Sequence, residues 1–308
     1  MKVLFLTMGD EKHPSSQVRV YQFIRHFENM GIQCVVYPFI TMAMRERMAR
    51  AIKSGEFINK VDATARIILT GIVALAKRAV VIISANKYDV VVSQKDILPF
   101  GLQDLLKWRN PNIIFEFDDA IWETSPRQEK RPAILKFVHR NNTKLFYKMI
   151  QKSKIILVNN SYQAGHARKF HDNVKEISAP IDTDKYKPTI TSRKDNEITL
   201  GWIGSWSTSY MLEDISGALE RVGEKYGDKV KLRNINGTPF KLKNMKVENI
   251  AWENDEIQSD LAKLDIGLMP LDDLPVNRGR LGYKMIIYMS LGIPYVAQDI
   301  GLNREVTN

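Results

Sequence analysis

The first forty residues decide the fold class. Lys2 to Thr7 (KVLFLT) is a short apolar run, and after the loop GDEKHPSS a helical pattern runs from Val20 through Phe23, Ile24 and Phe27 to Gly31. Ile32 to Phe39 then returns as a second apolar run. Strand, helix, strand in that order requires neighbouring parallel strands joined by a right-handed crossover. Further short apolar runs recur at Tyr88–Val92, Asn112–Phe117, Lys154–Asn159, Thr199–Ile203 and Lys231–Asn236, each bounded by turn residues, and a further candidate lies at Val247–Trp252. Runs of this kind are what strands covered on both faces look like, so the chain reads as α/β.

At 308 residues the chain is long enough for two domains, at a prior of roughly 150 residues each. The polar stretch from Thr189 to Asn196 suits a linker, which places the boundary near 190 and the domains at 1–189 and 190–308. Cys34 is the one cysteine, so no internal disulfide forms and a reducing compartment is expected. The N-terminal apolar run is too short for a secretory leader. The longest apolar stretch, Ile67 to Ala76, falls short of the roughly 20 residues a spanning helix needs. A cytoplasmic protein is expected, with attachment at the inner face of the membrane left open.

The net charge is +10, and its distribution is uneven. Between Thr41 and Lys87 lie nine Lys or Arg against three acids, interleaved with Met42, Met44, Met48, Ile52, Ile58, Val61, Ile67, Ile68 and Leu69. Two readings of residues 41–87 stay open: a basic amphipathic segment for an anionic membrane surface, or core-packed helices with a solvated basic side. No RNP, zinc-finger or aromatic-interleaved basic motif occurs, so nucleic acid is not an expected partner.

The residues that follow the strands matter most, because a parallel α/β sheet collects its ligand at the carboxyl ends of its strands. The strand ending at Met269-Pro270 leads into a loop with Asn277, Arg278, Gly279 and Arg280, then into a helical segment carrying Lys284 and Tyr288 and closed by Gly292 and Pro294. Unpaired N–H groups at a helix start attract an anion, and a phosphate fits there. Arg280, Lys284 and Tyr288 at i, i+4 and i+8 are expected on one face, with Leu281, Met285 and Met289 as the core stripe. The bland alternative is a surface helix with a solvated basic edge. A second loop, Gly204-Ser205-Trp206-Ser207-Thr208, follows Ile203; Gly204 admits close backbone approach and Ser205 can donate to a phosphate. The two loops can clamp one diphosphate.

In the first half, Asp118-Asp119 ends a strand, where it can hold a metal, line an acceptor site or, for Asp119, cap a helix. Ser15 and Ser16 occupy N-cap positions, with Arg19 in the first turn.

Most of the chain, best from Ile198 to Glu305 and in patches before it, resembles the retaining glycosyltransferases of family 4, of the GT-B type, and in particular a bacterial branch of them. The resemblance rests on DIGLMPL (Asp265–Leu271), N-R-G (Asn277–Gly279), G-Y-K (Gly282–Lys284), Tyr288-Met289 and G-x-N-R-E (Gly301–Glu305), with D-x-x-x-Y at Asp182–Tyr186. It implies two Rossmann-like domains facing each other across a cleft, and transfer of a sugar from a nucleotide diphosphate sugar to a hydroxyl of a saccharide or lipid-linked acceptor. No metal or other cofactor is implied. In that family the lysine matching Lys284 contacts the donor diphosphate, with Gly204, Ser205, Arg278, Gly279 and Arg280 around it. Trp252, Tyr288 and Asn277 fall where nucleotide or sugar lies, although core packing is as good a reading of Trp252. Asp118, Asp119, Ser15, Ser16 and Arg19 fall on the acceptor side, with Asp118 expected to orient the hydroxyl. Two glutamates usual in the family are replaced by Arg280 and Tyr288, and the family continues with further helices past G-L-N-R-E-V, so a shortened chain is expected. An epimerase or hydrolase of the same architecture, and a non-catalytic nucleotide-sugar or membrane-surface module, are the alternatives.

Overall fold

A computed structural model describes residues 1–41, 44, 57–123, 133–178, 180–188, 197–204, 208–235, 238–251 and 257–307, with 57–68 and 133–139 described by backbone alone. The chain forms two compact units, Met1–Ala179 and Pro180–Asn308. The division falls before residue 190 because Ile181 and Tyr186 pack on the core of the second unit, and Asp182 Oδ1 accepts the N–H groups of Asp184 and Lys185 in a turn.

The first unit runs β1 (Lys2–Gly9), α1 (Pro14–Ser16), a π-helical turn (Gln17–Tyr21), α2 (Gln22–Asn29), β2 (Gln33–Ile40), α3 (Phe57–Ile83) and β3 (Val90–Gln94). It continues with α4 (Leu102–Arg109), β4 (Ile113–Glu116), α5 (Ala133–Lys152), β5 (Ile155–Val158), α6 (Ser161–Ala167) and β6 (Val174–Glu176). All six strands are parallel, in the order β2-β1-β3-β4-β5-β6. Alternate residues of β1 feed opposite faces: Leu4 and Leu6 join one core with Phe115, Phe117 and Phe146, while Val3 and Phe5 join another with Val20. That two-sided burial is why the strands read as continuous apolar runs.

The second unit runs β7 (Ile198–Ile203), α7 (Tyr210–Asp214), α8 (Ser216–Tyr226), β8 (Val230–Ile235), β9 (Lys246–Ile250), α9 (Ile257–Leu261) and β10 (Ile266–Met269). It ends with α10 (Pro275–Arg278), α11 (Tyr283–Ser290), β11 (Tyr295–Ala297) and α12 (Leu302–Thr307). Its five strands are also parallel, in the order β11-β10-β7-β8-β9. One face packs Trp202, Leu212, Leu219 and Leu232, and the other packs Ile203, Leu261, Leu264 and Tyr288.

Three local expectations are corrected. The cap of α1 is His13, whose Nδ1 accepts the Ser16 N–H at 3.3 Å, with Pro14 in the first turn, so neither serine is the N-cap. The spacing of Leu212, Ile215, Leu219 and Val222 predicts one helical stripe, but these residues are divided between α7 and α8, which break at Ile215. Helix α11 begins at Tyr283, after Gly282 at φ 61°, so Arg280 belongs to the preceding loop and not to a helical face shared with Lys284. Glycine is required at 282 because φ is left-handed there and a Cβ would lie 2.8 Å from Asn303 Oδ1.

Candidate functional site

In the second unit the chain leaves β7 towards β8 and β9 on one side, then returns to place β10 and β11 on the other. The topological switch point therefore lies between β7 and β10, and the segments leaving it are Gly204 after β7 and residues 270–282 after β10. Gly201 and Gly267 are register partners across this pair of strands. A Cβ on Gly267 would lie 2.4 Å from the Tyr288 ring and one on Gly201 would lie 2.2 Å from Leu264, so the two glycines let α11 and its neighbours approach the sheet closely.

The motif elements interlock at this end. Asn277 is buried; its Nδ2 donates to the Asp272 carbonyl at 3.1 Å and to the Asp272 carboxylate, and its Oδ1 accepts from Arg280 Nε at 2.6 Å. The Arg280 Nη2 reaches the Tyr210 hydroxyl at 3.4 Å. Gly301, at φ 52°, lies where a Cβ would be 2.5 Å from the Arg278 carbonyl, so α12 enters against the N-R-G turn.

Lys284, in the first turn of α11, points its Nζ at the face of Trp202, 4.8 Å from the ring centroid. Trp202 is itself fully buried, with its ring against Gly204, where a Cβ would lie 2.3 Å from Cη2. Among the described residues no carboxylate pairs with Lys284 or with Arg280, and the buried Trp202 Nε1 has no hydrogen-bond partner. The Lys284 side chain is half-buried. Burial first, and the Arg280 charge second, press its pKa down to about 7. Among the described residues the partners of these two cations are neutral, and holding like charges near one another costs free energy that an anion would offset.

The other expected donor-site residues are dispersed. Arg278 turns to the surface, where its Nε meets Asp273 Oδ1 at 2.9 Å. Gly279 follows α10 and donates its N–H to the Asn277 carbonyl. Ser205 and Trp252 lie outside the described residues. Tyr288 is not on a ligand face: it is fully buried, and its hydroxyl reaches the Gly201 and Leu268 carbonyls at 3.4 Å each. The reason is the helix start at Tyr283, which rotates position 288 under the glycine pair.

In the first unit the switch point lies between β1 and β3. Ser16 Oγ accepts the Gly9 N–H at 3.1 Å and donates to Gln94 Oε1 at 3.1 Å, which ties the two strand ends together. Ser15 Oγ donates to Asp118 Oδ2 at 3.0 Å. Lys95, in a left-handed conformation at φ 53°, sets its ammonium against both Asp118 Oδ1 and Asp119 Oδ2. A protein cation therefore already bridges the Asp118-Asp119 pair. The Asp118 side chain is 7% exposed and that of Asp119 is 53% exposed, so Asp119 is the carboxylate presented to solvent. Arg19 is withdrawn from any ligand role, because its Nε is locked on Glu116 Oε1 at 2.6 Å, with both side chains almost fully buried. Burial raises the Glu116 pKa in spite of Arg19. Lys95 and Glu116 carried no sequence signal: a lone lysine after a strand and a glutamate inside an apolar run look ordinary until the sheet joins their ends.

No protein-family model matches the chain, and no curated protein sequence matches it. Solved structures do. The chain is similar to HepE from Anabaena in complex with UDP, with TM-score 0.60 and 15% identity over 100% of this chain and 83% of that one. It is similar to UDP-GlcNAc 2-epimerase from Neisseria meningitidis bound to UDP-GlcNAc, with TM-score 0.55 and 13% identity over 100% and 85%. It is also similar to an alpha-glucosyltransferase in complex with UDP and a DNA 13-mer containing an HMU base, with TM-score 0.54 and 11% identity over 97% and 80%. At these identities the likeness shows the fold alone, two Rossmann-like units of the GT-B type.

Proposed function

We propose that the second unit binds a nucleoside diphosphate sugar and that the protein transfers the sugar, with retention at the anomeric carbon, to a hydroxyl of a saccharide or lipid-linked acceptor. The observation that carries this reading is the pair Arg280 and Lys284, held beside the switch point by neutral partners, with no carboxylate among the described residues paired to either. The fold neighbours in complex with UDP or UDP-GlcNAc support a uridine diphosphate as the anion.

Transfer breaks the bond between the anomeric carbon and the β-phosphate oxygen, and negative charge grows on that oxygen. Lys284, Arg280 and the first N–H groups of α11 would stabilise it as it develops, without a metal ion. The acceptor oxygen bonds to the anomeric carbon on the face the phosphate leaves, and its proton passes to the departing phosphate. Asp119, the exposed member of its pair, is better suited than Asp118 to orient the acceptor hydroxyl. The likeness to an epimerase favours a second reading, inversion at C2 of a bound UDP-sugar.

Thermal unfolding across a panel of UDP-, ADP-, GDP- and dTDP-sugars tests the binding step, since a ligand of the folded state raises Tm. A UDP-sugar is expected to do so. Product analysis with saccharide and lipid-linked acceptors then separates transfer from epimerisation. No stabilisation by any nucleotide sugar at millimolar concentration would sink the proposal.

A further inference from the structure

Helix α3 buries one side and leaves the other bare. Ala74, Arg78 and Ile82 face inwards, with Arg78 paired to Asp96 at 3.0 Å and donating to the carbonyls of Tyr37 and Thr7. Opposite them Leu69 (61% exposed), Ile72, Val73, Val80 (67%) and Ile83 are exposed, with Ala76 exposed between them. At 3.6 residues per turn these six positions fall in an arc of about 100° along roughly 20 Å of helix. A continuous exposed stripe of this kind marks a binding surface.

Charge identifies the occupant. Position 66 and Lys77 share one edge of the stripe, and no Asp or Glu occurs between Ala63 and Tyr88. Arg109 Nη2 donates to Asn86 Oδ1 at 2.6 Å, which ties the end of α4 to the turn after α3. There Trp108, 74% exposed, stands between Lys107 and Arg109. An apolar stripe edged by cations with a tryptophan at its end fits the headgroup layer of an anionic bilayer. A second copy of the chain fits poorly, because an antiparallel two-fold contact of α3 with itself sets the edge that carries Lys77 against the same edge of the copy. No helix among the described residues is long and apolar enough to cross a membrane, so this helix would lie on the surface.

We propose that the exposed face of α3 docks the protein on an anionic lipid surface, with the helix in the headgroup plane. The inference stands on this face alone and does not depend on the donor site. Flotation with phosphatidylcholine vesicles, with and without phosphatidylglycerol, tests it. The wild type should float with the anionic vesicles and at least tenfold less with neutral ones, since several cations contribute at about fivefold each. Ile72→Glu/Val80→Glu should lose flotation while keeping its Tm and its stabilisation by UDP-glucose. If that double variant fails to fold, Ile72→Ser and Lys77→Gln serve instead, each weakening binding severalfold. Flotation of the glutamate variant at the wild-type level overturns the proposal. So does a wild type that stays unbound to anionic vesicles, whether as a monomer or as a dimer that these substitutions disperse.

Discussion

The Lys284 ammonium lies 4.8 Å from the centre of the Trp202 ring, and that contact joins the helix after β10 to the strand at the middle of the second sheet. Burial first and the Arg280 charge second lower the Lys284 pKa to about 7, and with no carboxylate among the described residues paired to it the site favours an anion.

Lys284→Met should separate stability from binding. Removing a half-buried charge that no described carboxylate pairs, while keeping the volume, should raise stability by about 1 kcal/mol. The same change should weaken UDP-glucose binding by about a hundredfold, as expected for a lost charge-assisted contact to phosphate. Thermal unfolding and calorimetric titration read the two effects; an unchanged Kd would remove Lys284 from the site.

Binding should depend on pH in a defined direction. The Lys284 pKa of about 7 in the free protein lies below its unfolded value, so the unfolded chain binds the proton more tightly. This group therefore makes stability rise with pH from about 7 up to the unfolded lysine value, and contributes no slope below about 7. A diphosphate favours the charged form, so UDP-glucose affinity should be flat below pH 7 and fall by up to about tenfold per unit above it, with proton uptake on binding. Calorimetry in two buffers of different ionisation heat measures that uptake. Lys284→Met should abolish it.

Asn277→Ala should act through Arg280. The side chain is buried, donates to Asp272 and accepts from Arg280 Nε, so its loss should cost about 1–3 kcal/mol of stability. Freeing Arg280 should also weaken UDP-glucose binding, by about tenfold. A destabilised variant with wild-type affinity would show that Asn277 holds the loop without aiming the arginine.

Tyr288→Phe tests the reassignment of that residue to the core. Two contacts of 3.4 Å are lost, which should cost under about 1 kcal/mol and leave donor binding unchanged. Tyr288→Ala should cost about 3–5 kcal/mol by leaving a cavity below Gly201 and Gly267. A large affinity loss in the phenylalanine variant would return Tyr288 to the ligand face.

Arg19→Met should destabilise the first unit by about 3 kcal/mol, because it strands the buried Glu116 carboxylate. Arg19→Met/Glu116→Leu should recover most of that loss in urea unfolding. No recovery would mean that Arg19 acts through its bond to the Ile177 carbonyl instead.

The alternation of apolar strands and helices was legible in the residues themselves, because a parallel strand is buried on both faces and so leaves an unbroken apolar run. The cationic loop after β10 and the small residue at Gly204 were legible for the same reason: they follow such runs directly. What the sequence could not set was where each side chain points. Helix α11 starts at Tyr283, after Gly282 with its left-handed φ and close Asn303 contact, and that start leaves Arg280 in the loop instead of on the helical face of Lys284 and sends Tyr288 into the core. Arg19 and Asp118 likewise acquire their partners, Glu116 and Lys95, from strand ends that lie far apart along the chain. Pattern along a chain reports local periodicity, while partners across a sheet depend on strand order, which only the folded structure supplies.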